Sequence, residues 1–246
     1  MQGRAIDLYL SPAEIRSPEL QDKIVVVIDV LRASTSIVTA LNNGAKSVIP
    51  VAEVETARDL AAAVFDRPVL LCGERNEMRI DGFDLSNSPL EYAKDIVTDK
   101  TIIFTSSNGA RLFDYAKNAA RVVVGAFVNV TALSGYIATL PNDVALLCAG
   151  KNGRFGLEDV VCGGMMTCLL VAQMANPVAL NDAALAAGIM YQNYAANITE
   201  MLYQASHGKR LIEIGQEHDL KICGAVDAIS AIPVLTDGEL ILSRMK

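Results

Sequence analysis

The stretch Ile24-Val-Val-Val-Ile-Asp-Val-Leu-Arg-Ala-Ser-Thr-Ser36 decides the fold of this chain. Its first five residues are all β-branched and apolar, which is typical of a strand buried on both faces of a parallel sheet. The run then passes Asp29 and Arg32 and continues into Ala33-Ser-Thr-Ser36, which predicts the start of a helix. A buried strand that leads directly into a helix is the first unit of an α/β fold, and ligands bind at the carboxyl ends of such strands.

The same alternation continues through the first 149 residues. Short β-branched runs predict strands over Ala5–Leu10, Ile24–Asp29, Ser47–Val51, Val69–Gly73, Thr101–Phe104, Arg121–Gly125 and Val144–Ala149. Amphipathic or alanine-rich segments predict helices over Ser34–Asn43, Val54–Phe65, Pro89–Ile96, Ala110–Ala116 and Val130–Leu140. The pattern predicts an α/β fold with a doubly wound, mainly parallel sheet and helices on both faces.

Beyond Ala149 the pattern changes to a C-terminal helical extension. Helices are predicted over Leu157–Met174, Asp182–Ala195 and Ile198–Ser206, with a break at Asn176-Pro177. We expect the sheet to be complete, or nearly so, by Ala149. Asp237-Gly238 between apolar runs predicts a closing β-hairpin over Val234–Leu242. Residues 1–246 are predicted to form a single domain, and the one division that the pattern suggests lies near residue 176.

The composition predicts a compact protein with neither a nucleic-acid partner nor a membrane partner. The chain has 246 residues, a mass of 26.3 kDa and 52% hydrophobic residues, enough to bury a large core. Its net charge of −7 and pI near 4.9 do not provide the basic surface that nucleic-acid binding needs. No apolar run reaches the roughly 20 residues that cross a bilayer.

Two further features of the sequence bear on location. The segment from Met1 to Leu10 contains Arg4 and Asp7, where a signal peptide would need an apolar centre. The five cysteines form no C-x-x-C pair and lie mostly in apolar runs, which is typical of reduced thiols. We therefore expect a cytoplasmic protein. A homodimer is the assembly that symmetry alone favours.

The first candidate site follows the buried strand. Asp29 offers the hard oxygen ligands that Mg²⁺ selects, and Arg32 offers a planar fork that suits a phosphate or a sulfonate. Ser34 and Thr35 lie in the first turn of the next helix, where backbone amides favour an anion. One interpretation is an anionic substrate held beside a metal ion. The other is structural, with Asp29 as a helix cap and Arg32 as its surface partner.

Two other predicted strands end in polar residues. The loop after Thr101–Phe104 could hold an oxyanion with hydroxyls and backbone amides, or could simply cap a helix. Its candidate residues for substrate contact and catalysis are Ser106, Ser107, Asn108 and Gly109. The strand Val69–Gly73 is followed by Glu74 and Arg75, which makes Arg75 a candidate for binding a second anionic group.

The loop after Val144–Ala149 carries two cations, Lys151 and Arg154, which are candidates for the same purpose. Glu158 and Asp159 begin the next helix and are candidate metal ligands together with Asp29. Acids in a first helical turn also arise simply because they complement the helix dipole. Both interpretations of Glu158 and Asp159 stay open at this point.

Cys148 and Arg154 have the C-x5-R spacing of cysteine-dependent phosphatases, in which the thiolate attacks and the arginine clamps phosphate. This is an alternative mechanism, although no histidine precedes Cys148 and a cysteine at a strand end is typical of a core residue. His207, in Ser206-His-Gly-Lys-Arg210, is a candidate general acid. A histidine at the end of a helix can otherwise be a partner of the helix dipole.

Several motifs occur in order along the chain: Asp29-Val-Leu-Arg32-Ala-Ser-Thr, Gly73-Glu-Arg75, Gly82-Phe-Asp-Leu-Ser-Asn-Ser-Pro89, Thr105-Ser-Ser-Asn-Gly109 and Leu157-Glu-Asp159. Together they resemble the 2-phosphosulfolactate phosphatase family, and the resemblance continues through Ser206-His-Gly208 and Ile232-Pro233. It implies a Mg²⁺-dependent enzyme that hydrolyses 2-phosphosulfolactate to sulfolactate and phosphate, a step of coenzyme M biosynthesis. It also implies an α/β fold particular to the family.

The residues and the resemblance together suggest a mechanism. We predict that Asp29, with Glu158 or Asp159, holds Mg²⁺ beside a water that attacks phosphorus in line. His207 would protonate the leaving group.

Other cations would bind the rest of the substrate. Arg32 and the loop that holds Asn108 would stabilise the phosphoryl oxygens, and Arg75, Lys151 or Arg154 would bind the carboxylate and the sulfonate. A related small phosphorylated acid is an alternative substrate. A non-catalytic binding protein for an anionic metabolite is the alternative from a different class.

Overall fold

The structure, a computed structural model, describes residues 3–64, 66–174 and 177–243. Its strands are β1 (Arg4–Tyr9), β2 (Ile24–Ile28), β3 (Ser47–Pro50), β4 (Val69–Arg75), β5 (Met78–Arg79), β6 (Thr101–Thr105), β7 (Arg121–Gly125), β8 (Val144–Cys148), β9 (Val178–Leu180), β10 (Pro233–Thr236) and β11 (Glu239–Leu242). Its α-helices are α1 (Ala33–Asn42), α2 (Val54–Ala63), α3 (Lys94–Val97), α4 (Leu112–Tyr115), α5 (Val130–Ala138), α6 (Leu157–Gln173), α7 (Asp182–Tyr194), α8 (Ile198–Gln204), α9 (Ser206–Glu213) and α10 (His218–Cys223).

All the described strands belong to one sheet, in the order β5-β4-β6-β3-β11-β10-β7-β2-β8-β1-β9. The strands β4, β6 and β3 are parallel to one another, and so are β7, β2, β8, β1 and β9. The β10–β11 hairpin lies between these two blocks and is antiparallel to both neighbours. The two parallel blocks therefore run in opposite directions.

The carboxyl ends of the two blocks lie close together although the blocks run in opposite directions. In a flat sheet, blocks of opposite direction would place their carboxyl ends at opposite edges. Here the loop after β6 contacts both ends, because Ser107 N donates to Glu74 Oε1 at 2.7 Å and Gly109 packs against Asp29. The hairpin pairs with β7 through Val234 and Val123, and with β3 through Leu240 and Val48.

Helices cover both faces of the sheet, as predicted. In β2, Val26 and Ile28 point into a core formed mainly with α5, α6 and α7. Val25 and Val27 point into a second core, which α1 and α4 complete on the other face. β2 is buried on both faces, and this explains why all five of its residues, Ile24–Ile28, are apolar.

The α/β prediction is confirmed, including the mostly parallel sheet and the hairpin, but three expectations about the C-terminal part are wrong. The sheet is not complete by Ala149, because β9 adds to its edge and β10–β11 complete its centre. The hairpin joins the two blocks instead of closing the fold. The predicted helix Ile198–Ser206 ends at Gln204, and Ser206 begins α9.

Some predictions remain outside what the structure describes. Phe65, the predicted end of one helix, and Asn176, at the predicted break and sub-boundary, lie outside the described residues. The single domain stays a prediction.

None of the helices in the described ranges combines the length and apolar character needed to span a bilayer.

Candidate active site

A pocket of about 310 Å³ lies where the carboxyl ends of β2, β4, β6 and β8 meet α9. Most of the residues that line it are polar or charged. They are Asp29, Leu31, Arg32, Glu74, Asn76, Glu77, Asn87, Ser107, Asn108, Lys151, Asn152, His207 and Arg210. The position agrees with the rule that α/β sheets bind ligands beyond the carboxyl ends of their strands.

Asp29 directly follows β2 and is only 6% exposed. Its Oδ1 accepts a hydrogen bond from Ala33 N at 3.3 Å, and its backbone N donates to Ser34 Oγ at 2.9 Å. Burial raises the pKa of Asp29 to about 6; His207 and the Ala33 amide oppose this rise, and the negative charges of Glu74 and Glu158 add to it. A carboxyl group with this pKa changes its protonation state close to neutral pH, which is rare for an aspartate.

Arg32 lines the pocket and is 1% exposed. Its Nη1 donates to Asp219 Oδ2 at 2.7 Å and to Gln216 Oε1, and its Nη2 donates to the Glu77 carbonyl at 2.9 Å. Ser88 Oγ donates to the second oxygen of Asp219 at 2.6 Å. The peptide bond before Arg32 is cis. Arg32 is therefore a buried member of the pocket and not the surface partner of Asp29.

Glu74 and the loop after β6 form one wall. Glu74 Oε1 accepts a hydrogen bond from Ser107 N at 2.7 Å, and Oε2 accepts from Ser107 Oγ at 3.2 Å. Asn108 Oδ1 accepts from Asn152 N at 3.2 Å, which connects this wall to the loop after β8. These bonds fix the wall next to Asp29.

His207 lies in the first turn of α9, and its Nδ1 is 3.2 Å from Glu158 Oε1. Both residues are buried, whereas only His207 lines the pocket. Glu158 therefore orients the imidazole from behind, which leaves the other ring nitrogen for contact with the pocket. The alternative in which His207 ends a helix is wrong, because the helix boundary precedes it.

Lys151, in the loop after β8, and Arg210, in α9, both line the pocket and share a carboxylate. Glu77 Oε1 is 2.8 Å from Lys151 Nζ, and Glu77 Oε2 is 3.8 Å from Arg210 Nε. Partial burial alone would raise the pKa of Glu77, but Lys151, His207 and Arg210 outweigh it, so the pKa is lowered. Glu77 is thus ionised at neutral pH.

Several predicted substrate ligands lie beside the pocket without lining it. The buried hydroxyls of Ser34 and Thr35 donate to the carbonyls of Val27 at 3.2 Å and Val30 at 2.9 Å. Ser106 Oγ accepts from Ala110 N at 3.0 Å, so it caps the turn that follows. All three side chains therefore have hydrogen-bond partners within the protein, and Ser106 alone of the three accepts from the amide of a following turn.

Two predicted arginines are directed elsewhere. Arg75 donates to the carbonyls of Glu74 and Ala52 and to Thr105 Oγ1, at 2.7 to 3.0 Å. Arg154 is exposed, and its backbone forms two 3.0 Å hydrogen bonds with Lys151. Neither arginine lines the pocket, so of the three cations predicted to bind the carboxylate and the sulfonate, the structure brings Lys151 to it.

The three predicted metal ligands differ in their surroundings. Asp29 lines the pocket, Glu158 contacts His207, and Asp159 accepts hydrogen bonds from the amides of Val30 and Gly150, both at 2.8 Å. Asp159 thereby ties the loop after β2 to the loop after β8. Within the described ranges no three His, Cys, Asp or Glu residues are grouped to hold a metal ion.

Cys148 has surroundings that oppose the cysteine mechanism. Its side chain is 0% exposed, within the core that α6 covers. Burial, followed by the negative charge of Asp159, raises the pKa of the Cys148 thiol well above its usual range. A buried thiol without access to the pocket cannot attack a substrate there, and Arg154 is exposed outside it.

The sequence interpretation missed several residues that line the pocket: Leu31, Glu74, Asn76, Glu77, Asn87, Asn152 and Arg210. Two of them had a usable signal. Glu74 directly follows the apolar run of β4, as Asp29 follows β2. Arg210 follows His207 by three residues, so one helix face carries both.

Comparisons with known proteins identify related chains. Residues 9–238 match the family model described as 2-phosphosulpholactate phosphatase. The chain is 41% identical over 234 residues to a "Probable 2-phosphosulfolactate phosphatase" of Caldanaerobacter subterraneus subsp. tengcongensis, with 95% of this chain and 96% of the relative covered. Proteins of the same name in Symbiobacterium thermophilum (40% identity over 95% of this chain and 98% of the relative) and Thermotoga petrophila (38% over 97% and 99%) are also similar. The chain belongs to the 2-phosphosulpholactate phosphatase family.

Proposed function

We propose that this protein is a Mg²⁺-dependent phosphatase that hydrolyses 2-phosphosulfolactate to sulfolactate and phosphate, the reaction of a coenzyme M biosynthesis step, in the cytoplasm. The names of the relatives support the substrate. The observation that carries the proposal is that Asp29, Arg32, Asn108 and His207, the predicted catalytic residues, all line one pocket.

The balance of charges in this pocket favours the binding of a divalent cation. The substrate carries a phosphate, a carboxylate and a sulfonate, which a site without excess positive charge would repel. In the described part of the chain the lining has as many acidic side chains as Lys and Arg side chains: Asp29, Glu74 and Glu77 against Arg32, Lys151 and Arg210. A bound Mg²⁺ would supply the missing positive charge, polarise a phosphoryl oxygen and favour ionisation of a water.

Asp29 and Glu74 fit such an ion. Both are buried carboxylates that line the pocket, and the charge of Glu74 contributes to the raised pKa of Asp29, so the two repel each other. Mg²⁺ in phosphoryl-transfer sites is commonly bound by one or two carboxylates, with water and phosphate completing its shell. A set of two acids is therefore enough, and Glu158 and Asp159 act from behind the pocket wall.

Arg32 and Asn108 are placed to stabilise the phosphoryl group. Three hydrogen bonds from the Arg32 guanidinium go to protein partners, and a guanidinium has five N–H donors. Two donors are therefore left for phosphoryl oxygens, in a geometry that Asp219 fixes. Charge stabilisation by pre-positioned donors is usually the largest contribution to such catalysis.

His207 completes the reaction. When water adds to phosphorus, the ester P–O bond breaks, the leaving alkoxide takes up a proton and the attacking water loses one. We propose that His207, oriented by Glu158, donates the proton to the alkoxide and that the proton released by the water restores His207 afterwards.

The experiment that tests the function is phosphate release from 2-phosphosulfolactate, with Mg²⁺ and with EDTA, beside phospholactate and phosphoglycolate. We expect turnover that depends on Mg²⁺ and is fastest with 2-phosphosulfolactate. Equal turnover in EDTA would contradict the metal dependence. Stoichiometric binding without phosphate release from any substrate would instead support the binding protein.

A further inference from the structure

Glu77, Lys151 and Arg210 form a cluster of charges inside the pocket. The Glu77 carboxylate contacts Lys151 Nζ at 2.8 Å and Arg210 Nε at 3.8 Å. The side chains of Glu77 and Lys151 are 16% and 21% exposed, so this contact is partly shielded from water. A protein carboxylate thus lies between two cations at a position that a small ligand can reach.

The carboxylate of Glu77 is not needed to hold its own backbone. Glu77 N donates to Glu74 Oε2 at 2.8 Å, and the Glu77 carbonyl accepts from Arg32 Nη2 at 2.9 Å. These two bonds anchor the turn between β4 and β5 from both sides of the residue. The side chain can therefore leave Lys151 and Arg210 while the turn stays in place.

Lys151 and Arg210 are also the cations available for a second acidic group of a substrate. Arg32 is the remaining Lys or Arg side chain that lines the pocket in the described ranges, and Asp219 and the Glu77 carbonyl already fix it. A phosphate ester with an additional strong acid would pair that acid with Lys151 and Arg210, since charge-assisted hydrogen bonds are the strongest that the pocket can offer.

We infer that Lys151 and Arg210 form a subsite for a second oxyanion, a sulfonate or a carboxylate, and that the Glu77 carboxylate occupies this subsite until the substrate displaces it. The inference rests on the proposed function and names the part of the substrate that this end of the pocket binds. Glu77 then acts as a specificity-determining residue. A phosphate ester without a second acid cannot displace it and gains no contact from either cation.

The test is the affinity for sulfolactate, measured by titration calorimetry in Mg²⁺ buffer with wild-type protein and Glu77→Gln. Glutamine preserves the size of the side chain and leaves both backbone anchors unchanged. Removal of the competing charge should tighten sulfolactate binding about tenfold, the effect of one partly exposed charge-assisted contact. Lys151→Met should weaken binding at least about tenfold for the same reason.

Glu213→Gln is the matched control. Glu213 pairs with the same arginine, with 3.2 Å between Glu213 Oε2 and Arg210 Nη1, but its side chain is 65% exposed and does not line the pocket. We expect its affinity to remain within about twofold of wild type because exposed pairs contribute little. Weaker, unchanged or undetectable binding by Glu77→Gln would overturn the inference and identify Glu77 as a support for the two cations.

Phosphate release from 2-phosphosulfolactate, measured on the same preparations, separates this inference from the proposed function. If Glu77→Gln binds sulfolactate more tightly while wild type releases no phosphate, the subsite stands and the phosphatase activity fails. If wild type releases phosphate while Glu77→Gln binds no more tightly, the activity stands and the subsite fails.

Discussion

Arg32 and Asp219 form an ion pair with 2.7 Å between Nη1 and Oδ2, and their side chains are only 1% and 2% exposed. The pair joins the residue before α1 to α10, so it connects the pocket to the C-terminal helices. Ser88 holds the second carboxylate oxygen of Asp219. Asp219 therefore fixes the position of the guanidinium that lines the pocket.

We expect Asp219→Asn to destabilise the protein by about 3–5 kcal/mol, because it leaves a buried guanidinium without its counter-charge. Urea unfolding at neutral pH measures the change. The control is Asp114→Asn, which removes an exposed pair with Lys117 and should cost less than about 0.5 kcal/mol. Similar losses in the two variants would show that the burial of the Arg32–Asp219 pair has no energetic consequence.

For Asp29 we expect substitution to stabilise the protein, in contrast to Asp219. Its pKa is raised from 3.8 to about 6 in the folded protein, chiefly by burial. Folding therefore favours the protonated form, and this contribution to stability is present at low pH and is lost as the pH rises through about 6. In metal-free protein, Asp29→Asn should raise the free energy of unfolding at pH 7.5, by up to about 3 kcal/mol.

The pH dependence of that gain is the decisive measurement. Urea unfolding of metal-free wild type and Asp29→Asn should give curves that separate as pH increases from 5 to 8. Phosphate release should meanwhile be lost in the variant. A gain in stability that is constant across this range would mean that ionisation of Asp29 is not its source.

The fold was predictable where the signal is local. The run Ile24–Ile28 and the turn at Asp237-Gly238 each determine their element through the residue types within it. The position of the hairpin between the two blocks was not predictable, because it depends on which strands Val234 and Leu240 meet. A turn signal specifies that two strands pair with each other and contains no information about their other neighbours.

The residues of the candidate site were also predictable only where the signal is local. Asp29, Asn108 and Lys151 were predicted because each follows a strand, and all three line the pocket. The same argument fails for Arg75, since a long side chain at a strand end can turn toward neighbouring carbonyls. Arg210 was missed because its position depends on where α8 ends and α9 begins, and helix boundaries are the least certain part of a sequence-based assignment.

Gly109 permits the close approach of its loop to Asp29. A Cβ atom at this position would lie 2.5 Å from Asp29 Oδ2, closer than real contacts allow. We expect Gly109→Ala to push the carboxylate out of position and to lower kcat/KM about 100-fold, the cost of a displacement near 1 Å in a catalytic group. Phosphate release across a range of substrate concentrations measures the loss.

Gly135 provides the control for this substitution. It lies within α5, and a Cβ there would meet only Gln173 Oε1, at 3.9 Å. Gly135→Ala should preserve activity and stabilise the protein by about 0.5–1 kcal/mol, because alanine is the better helix former. Full activity in Gly109→Ala would show that Asp29 tolerates displacement and does not need its present position.

His207 can be tested through the leaving group of the substrate. An alkoxide, as released from 2-phosphosulfolactate, needs a proton when the P–O bond breaks, whereas 4-nitrophenolate is stable without one. If His207 is the general acid, His207→Asn should lower kcat for 2-phosphosulfolactate about 100-fold or more while the loss for 4-nitrophenyl phosphate stays far smaller. Glu158→Gln should reproduce the pattern more weakly, because Glu158 only orients the imidazole. Equal losses on the two substrates would assign His207 to phosphate binding, and unchanged kcat on both would remove it from the mechanism.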